Sequence, residues 1–373
     1  MADHELTVVA GSIAAYRLFD VAYAIDLGRA EEVWAERART ASSRRRLSAT
    51  PAKAVAFGVP PVALDLDHVS LPLEDGAVQA GVTARLYDFG VISIAIRVPV
   101  SGLAWSAFTF RLNAVDRCVG LTAGNPLWVE LLERVRQGIA GALIRPTPSA
   151  LEEDYLIGVA SAFAEPLTAD ELQQRVDLVP LLSGEQRTLS EAARRDLLQH
   201  QYSYYTDDLV ALTWDRAFIY EPRGDSDVID VLEVANAQLL EMRYYDELLD
   251  AELPRMYDLV EATRRTRALL ASRRFANLAR RLYTMVAEVT ELTEKVDNAL
   301  QVTEDVYLAR IYAAALELFR VPTVSAAVER KLAIIRDTYA ALYDEASGSR
   351  SELLEIVILV LIAVEIVVAV FRH

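Results

Sequence analysis

The sequence predicts an α+β protein: an N-terminal mixed sheet with helices, then a long α-helical hairpin or coiled-coil region, then a C-terminal transmembrane helix. Three observations predict it. Residues 1–225 mix strand-like and helix-like periods, residues 226–350 keep a nearly unbroken helical period, and residues 351–373 contain a long apolar run. These ranges define the three expected domains. With 373 residues the chain exceeds the ~250–300 at which one hydrophobic core stops growing.

Ile13 to Leu27 is rich in β-branched, aromatic and small apolar residues and reads as extended chain. Asp26 is placed to cap a helix running to about Arg39, with Glu31 and Glu32 as acids of its first turn. Ser42 to Ser48 is polar and basic, the composition of a loop. Val55 to Leu66 and Val78 to Tyr87 read as strands, and Tyr87-Asp88-Phe89-Gly90 supplies a hairpin turn into Val91–Ile96. That strand alternates Ile with small residues, which predicts one buried face. A helix is expected over Pro126 to Leu143, with Leu127, Val129, Leu131, Leu132, Val135 and Ile139 inward, and a strand over Asp154 to Ala164. The order predicts a sheet covered by helices on one side.

Beyond Thr168 the period becomes helical, with helix starts at Thr168-Ala169-Asp170-Glu171 and Thr188-Leu189-Ser190-Glu191. Strand-like stretches at Tyr202–Tyr205, Leu209–Trp214 and Ala217–Tyr220 interrupt it and would extend the first sheet. From Ser226 onward helix is expected with breaks at Pro254, Pro322 and Gly348. Heptad-like seams run through Leu282, Met285, Val289, Leu292, Val296 and Ala299, and through Val328, Leu332, Ile335, Tyr339 and Leu342. A helix from Ala276 to Arg320 would span roughly 65 Å. Such a length predicts a hairpin with Val324 to Glu345 or assembly with other copies.

Leu353 to Phe371 contains fifteen strongly apolar residues and two acids, Glu355 and Glu365. On the insertion scale the apolar residues contribute about −4.5 to −9 kcal/mol and a central carboxylate costs about +2.5 to +3.5 kcal/mol, so insertion is favoured. The competing reading is a buried central helix, apolar all round. With only Arg372 and His373 following, the run is expected to insert tail-first from the cytoplasmic side of a bacterial inner membrane. Glu355 and Glu365 lie about 80° apart on a helix, so together with Ile358 and Ile362 they form the candidate membrane and oligomerisation face. An ionisable residue at that depth faces protein or water. For Glu365 that leaves a hydrogen bond between neighbouring tails, a tolerated interfacial charge, or an ion path.

The net charge of −16 argues against nucleic acid as a direct partner. Arg264, Arg267, Arg273 and Arg280-Arg281 form a local basic stretch suited to a solvated helix face or to anionic lipid. Cys118 stands alone, which precludes an internal disulfide, and the acidic N-terminus has neither a signal peptide nor a presequence pattern. No phosphate-binding glycine loop is present, and His4, His68, His200 and His373 have no metal-ligand spacing. No cofactor, metal or catalytic residue is therefore expected. The densest polar cluster runs from His200 to Asp208, and His200, Tyr204 and Asp208 are the residues of a speculative pocket.

The tail Leu354-Glu355 to Val364-Glu365 resembles the ending of the family named for "required for meiotic nuclear division", the RMD/YagE family. Weaker support comes from Tyr87–Ile92, Ser161–Glu165, Asp208–Val210 and Asn236–Tyr244. The resemblance implies a membrane-anchored, self-assembling protein, and its mitochondrial members support organelle translation at the inner membrane. It assigns no catalytic residue. The function expected is a non-enzymatic membrane-anchored scaffold whose partners are the lipid bilayer and other copies of the chain. The alternative is an enzyme or small-molecule sensor with its pocket near His200–Asp208.

Overall fold

The computed structural model of the chain describes residues 5–38, 42–44, 55–57, 59–147, 150–224, 227–264, 300–302 and 306–338, with isolated positions between 277 and 291 and at 340–341. The strands are β1 (Thr7–Asp20), β2 (Ala22–Ile25), β3 (Ser42–Arg44), β4 (Val55–Phe57), β5 (Val62–Leu73), β6 (Gly76–Leu86), β7 (Val91–Ala104), β8 (Leu143–Pro146), β9 (Glu152–Phe163), β10 (Gln201–Tyr202), β11 (Leu209–Leu212), β12 (Arg216–Tyr220) and β13 (Leu300–Val302). The helices are α1 (Leu27–Ala38), α2 (Trp105–Val119), α3 (Leu127–Gly138), α4 (Ala169–Arg175), α5 (Val179–Ser183), α6 (Glu191–Leu197), α7 (Val228–Arg264), α8 (Val306–Leu318) and α9 (Val321–Thr338). The fold is α+β. Two compact units divide the chain: Met1–Tyr244 with Lys295–Pro322, and Tyr245–Glu294 with Thr323–His373.

The first unit is built on a nine-stranded sheet of order β10-β11-β12-β9-β1-β7-β6-β5-β3. β1 sits between β7 and β9 and is antiparallel to both, while β12 is parallel to β9. The strand-like stretches after Tyr202 thus do extend the sheet, although Ser203–Asp208 form the turn between β10 and β11. The Tyr87–Gly90 hairpin forms as expected: the Tyr87 N–H donates to Val91 O at 2.9 Å, and Gly90 adopts φ 101°. Only glycine fits there, because an added Cβ would stand 1.8 Å from the Ala22 carbonyl oxygen.

Helices cover both faces of the sheet, not one. Ile92, Ile94 and Ile96 of β7 join Phe108, Leu112 and Val115 of α2 in one core. Gly158 of β9 lets α2 come close, since a Cβ there would lie 2.6 Å from Leu112 Cδ1. On the opposite face the Tyr155 ring meets Phe319, just beyond α8, edge-on at 5.2 Å. The first half of α7 lies there too, with Val231, Leu232, Ala235, Ala237 and Leu240 fully buried. Val91, Ser93 and Ala95 are therefore buried as well, and Val91–Ile96 has no solvent face, while Arg97, Pro99 and Ser101 further along β7 are exposed.

Other expectations change locally. Asp26 caps α1 by accepting the Arg29 N–H at 3.0 Å, but Glu31 and Glu32 fall in the second turn. Ser42–Arg44 forms the edge strand β3 where a loop was expected. In α3 the inward residues are Trp128, Leu131 and Val135, whereas Val129 is exposed. Thr168 and Glu171 make the expected capping box of α4, and Ser190, not Thr188, caps α6. α7 runs through Pro254 without breaking, for Asp250 and Pro254 are both exposed and water can satisfy the carbonyl that the proline leaves.

The expected continuous helix from Ala276 to Arg320 does not form, because Leu300–Val302 pairs as β13 with β4 and helix resumes at Val306. Arg320, at φ 59°, separates α8 from α9. In the second unit Lys331 of α9 bonds Asp246 and Asp250 of α7 at 2.7 and 2.6 Å. Val289, Val328 and Ile335 of the heptad seams are buried. Leu282, Met285, Leu292, Val296, Ala299, Tyr339 and Leu342 lie outside the described residues, and no coiled coil is shown. No single helix among the described residues is long and apolar enough to cross a membrane. The run Leu353–Phe371, with Glu355, Ile358, Ile362 and Glu365, lies outside them.

Candidate functional site

A helix buried on all sides has no water for its polar side chains, so each requires a protein partner. The first half of α7 buries Asp230, Glu233, Asn236, Gln238 and Glu241. Asp230 and Glu233 stand three residues apart and share one face. Both reach Arg85 on β6, with Nη1 at 2.5 Å from Asp230 and 2.7 Å from Glu233. Gln238 accepts the Tyr312 hydroxyl of α8 at 2.7 Å, and the Asn236 amide donates to Leu232 O at 3.2 Å. At the start of β9, Arg243 bonds Glu153.

Burial raises the Glu233 pKa, and the pull of Arg85 offsets only part of that rise. Burial alone would lower Arg85, but Glu233 and Asp230 outweigh it and hold the guanidinium well above its ordinary value. Burial also raises Tyr16 and Tyr87, leaving both phenols protonated near neutral pH. A cavity of about 190 Å³ adjoins this cluster, lined by Tyr16, Thr83, Arg85, Ser93, Arg97 and Glu233 over Gly81 and Ala95. Arg97 contacts the Tyr16 hydroxyl at 3.4 Å. The carboxylates that face Arg85 are engaged by it, so the arrangement acts first as a clamp fixing α7 to the sheet.

The sequence-chosen cluster is arranged differently. Asp208 is buried and accepts the Tyr204 and Tyr205 N–H groups at 2.7 and 3.2 Å and the Ser203 hydroxyl at 3.0 Å. It therefore shapes the turn between β10 and β11. Tyr204 is half exposed, its ring 5.4 Å from Tyr307. His200 uses its carbonyl to accept the Leu212 N–H at 2.9 Å, and no hydrogen bond joins its ring to Tyr204 or Asp208. The cavities lined by Arg85 and by Trp105 include none of these three residues. Among the described residues no group of three or more His, Cys, Asp or Glu could hold a metal ion.

Fold and site together define an α+β domain whose central sheet is fastened to a buried helix by internal charge. The chain belongs to the family described as "Uncharacterized protein MJ0711, N-terminal domain", whose profile matches residues 10–227. Uncharacterized protein MJ0711 of Methanocaldococcus jannaschii is 25% identical over 218 residues, which cover 58% of this chain and 66% of that relative. These findings overturn the RMD/YagE resemblance, which rested on a short aliphatic tail pattern outside the matched domain. Any apolar membrane helix with two acids reproduces such a pattern. No solved structure matches the chain.

Proposed function

We propose that the chain is a non-enzymatic, membrane-tethered, self-assembling scaffold whose α+β domain stands in the cytoplasm. The observation that carries this reading is the run Leu353–Phe371, fifteen strongly apolar residues with acids only at positions 355 and 365. Its length matches the ~20 residues that a helix needs to cross a hydrocarbon core of about 30 Å. Glu365 at that depth favours a neighbouring tail as its partner, and Glu355, Ile358 and Ile362 share the same broad face. The Arg85 clamp suits a rigid body borne on such a tether, since its charges are spent on holding α7.

Removal of residues 353–373 tests the reading. The full chain should stay with membranes through a carbonate wash and migrate in detergent as a multimer. The shortened chain should be released and run as a smaller particle. Retention of the shortened chain in the membrane fraction, or an unchanged particle size, would sink the tether or the assembly respectively.

A further inference from the structure

A second cavity, of about 590 Å³, opens on the other face of the sheet between α2 and the segment 177–189. One face of α2 supplies its long wall through Trp105, Thr109, Phe110 and Asn113. Val179 and Pro180 stand opposite. The wall is fixed by a buried arginine: Arg216 bonds Asn113 Oδ1 at 2.6 Å, Asp116 at 2.5 Å and the Leu181 carbonyl at 3.1 Å. Gly184 packs against that guanidinium at φ 65°, where a Cβ would fall 2.3 Å from Nη2. The Trp105 indole N–H is tied to the Asp177 carbonyl at 3.2 Å, so the apolar floor is held in place without a ligand. The cavity is thus preformed, and its volume falls in the range of about 300–1,000 Å³ usual for small-molecule sites.

The lining of this cavity is positive although the chain as a whole is acidic. Three arginines, Arg117, Arg187 and Arg194, line it against two carboxylates, Asp177 and Glu185, giving the lining a net +1 in a protein of net −16. Arg194 is engaged with Asp177 through both terminal nitrogens at 3.1 Å, and Arg117 with Glu74 at 2.8 Å. Arg187 is exposed and makes no ion pair among the described residues. The Thr109 hydroxyl is buried on the same wall with no hydrogen-bond partner among the described residues. A rotation about its Cα–Cβ bond would exchange hydroxyl and methyl and offer a ligand oxygen a donor.

We propose that this cavity binds a small organic acid: an aromatic or aliphatic body on Trp105, Phe110 and Val179, with a single carboxylate held by Arg187. An apolar body without the acid would gain the floor alone, and an inorganic anion would gain the arginine alone. A guanidinium with no ion pair among the described residues can pair with a carboxylate bidentately without first breaking such a bond.

Calorimetric titration of naphthalene-2-carboxylate into the full chain in lipid nanodiscs, with empty nanodiscs as the blank, tests this. One equivalent should bind, and the uncharged naphthalene-2-carboxamide should bind at least tenfold more weakly. Arg187→Glu should weaken the acid at least tenfold while leaving the melting temperature nearly unchanged, because Arg187 is exposed and makes no hydrogen bond or ion pair among the described residues. Thr109→Val, nearly isosteric, should weaken it a few-fold. No heat above the blank, equal binding of acid and amide, or an Arg187→Glu chain that binds like the parent would each overturn the proposal.

Discussion

At the scale of single residues the molecule turns on Arg85, which faces two buried carboxylates at once. Arg85→Ala would leave Asp230 and Glu233 buried without their cation, and breaking a buried pair in this way costs about 3–5 kcal/mol. Urea unfolding should report that loss as a lower midpoint. Replacing Arg85, Asp230 and Glu233 together by apolar residues should recover most of it, since the penalty comes from the uncompensated charges. A midpoint that barely moves in Arg85→Ala would show that α7 is held by its apolar contacts alone. The clamp had a trace in the sequence, for Asp230 and Glu233 stand at helical spacing amid Val231, Leu232, Val234 and Ala235. Acids at that spacing inside an apolar run mark a buried helix seeking a cation. What no local pattern offers is the identity of the cation, which comes from a strand 145 residues earlier than Asp230 and depends on the whole sheet. Proximity along the chain pointed instead to His200, Tyr204 and Asp208, of which Asp208 is consumed by its own turn.

At the scale of elements the β6–β7 hairpin is the most sharply determined join. Gly90 holds φ 101° against the Ala22 carbonyl, and its own carbonyl accepts the Val21 N–H at 3.1 Å. Gly90→Ala should destabilise by about 1–3 kcal/mol for the strained backbone, and further if the link between β1 and β2 must shift. Hydrogen exchange should locate the damage, with the Val21 and Tyr87 amides losing protection first. Unchanged exchange at Val21 would mean that the turn does not brace that link. This hairpin was legible because turn chemistry acts over four residues, as were the Asp26 cap and the Thr168–Glu171 box. The second layer was not legible: Ile92, Ile94 and Ile96 alternate with residues small or polar enough to suit either solvent or a packed helix, and α7 supplies the helix. β13 was missed for a related reason. Leu300-Gln301-Val302 is too short to separate a period of 2 from one of 3.6, and its partner β4 lies more than 240 residues away.

At the scale of the whole molecule acidity and burial act in the same direction. Burial raises the proton affinity of Glu153, Asp154, Asp215 and Glu233 above that of ordinary carboxylates, with nearby arginines offsetting only part of each rise. The folded chain therefore binds protons more tightly at these sites than the unfolded chain. By linkage their stabilising contribution is fully present below the ordinary carboxylate value of about 4 and is lost as pH rises through the raised values. Glu5 and Glu171 have lowered values and act oppositely, but both are held by surface hydrogen bonds to Ser106 and Thr168. Self-repulsion at net −16 adds to the buried groups, easing as carboxylates take up protons. The melting temperature should accordingly be higher at pH 5 than at pH 8. Salt separates the two contributions, because a Debye length of ~3 Å at 1 M screens surface repulsion and leaves the buried groups largely untouched. Part of the difference should persist in 1 M salt and shrink in an Asp154→Asn, Asp215→Asn chain. A melting temperature that falls between pH 8 and pH 5 in both salts would mean that the arginine partners outweigh burial at these four carboxyls, making the charged form the one the fold prefers.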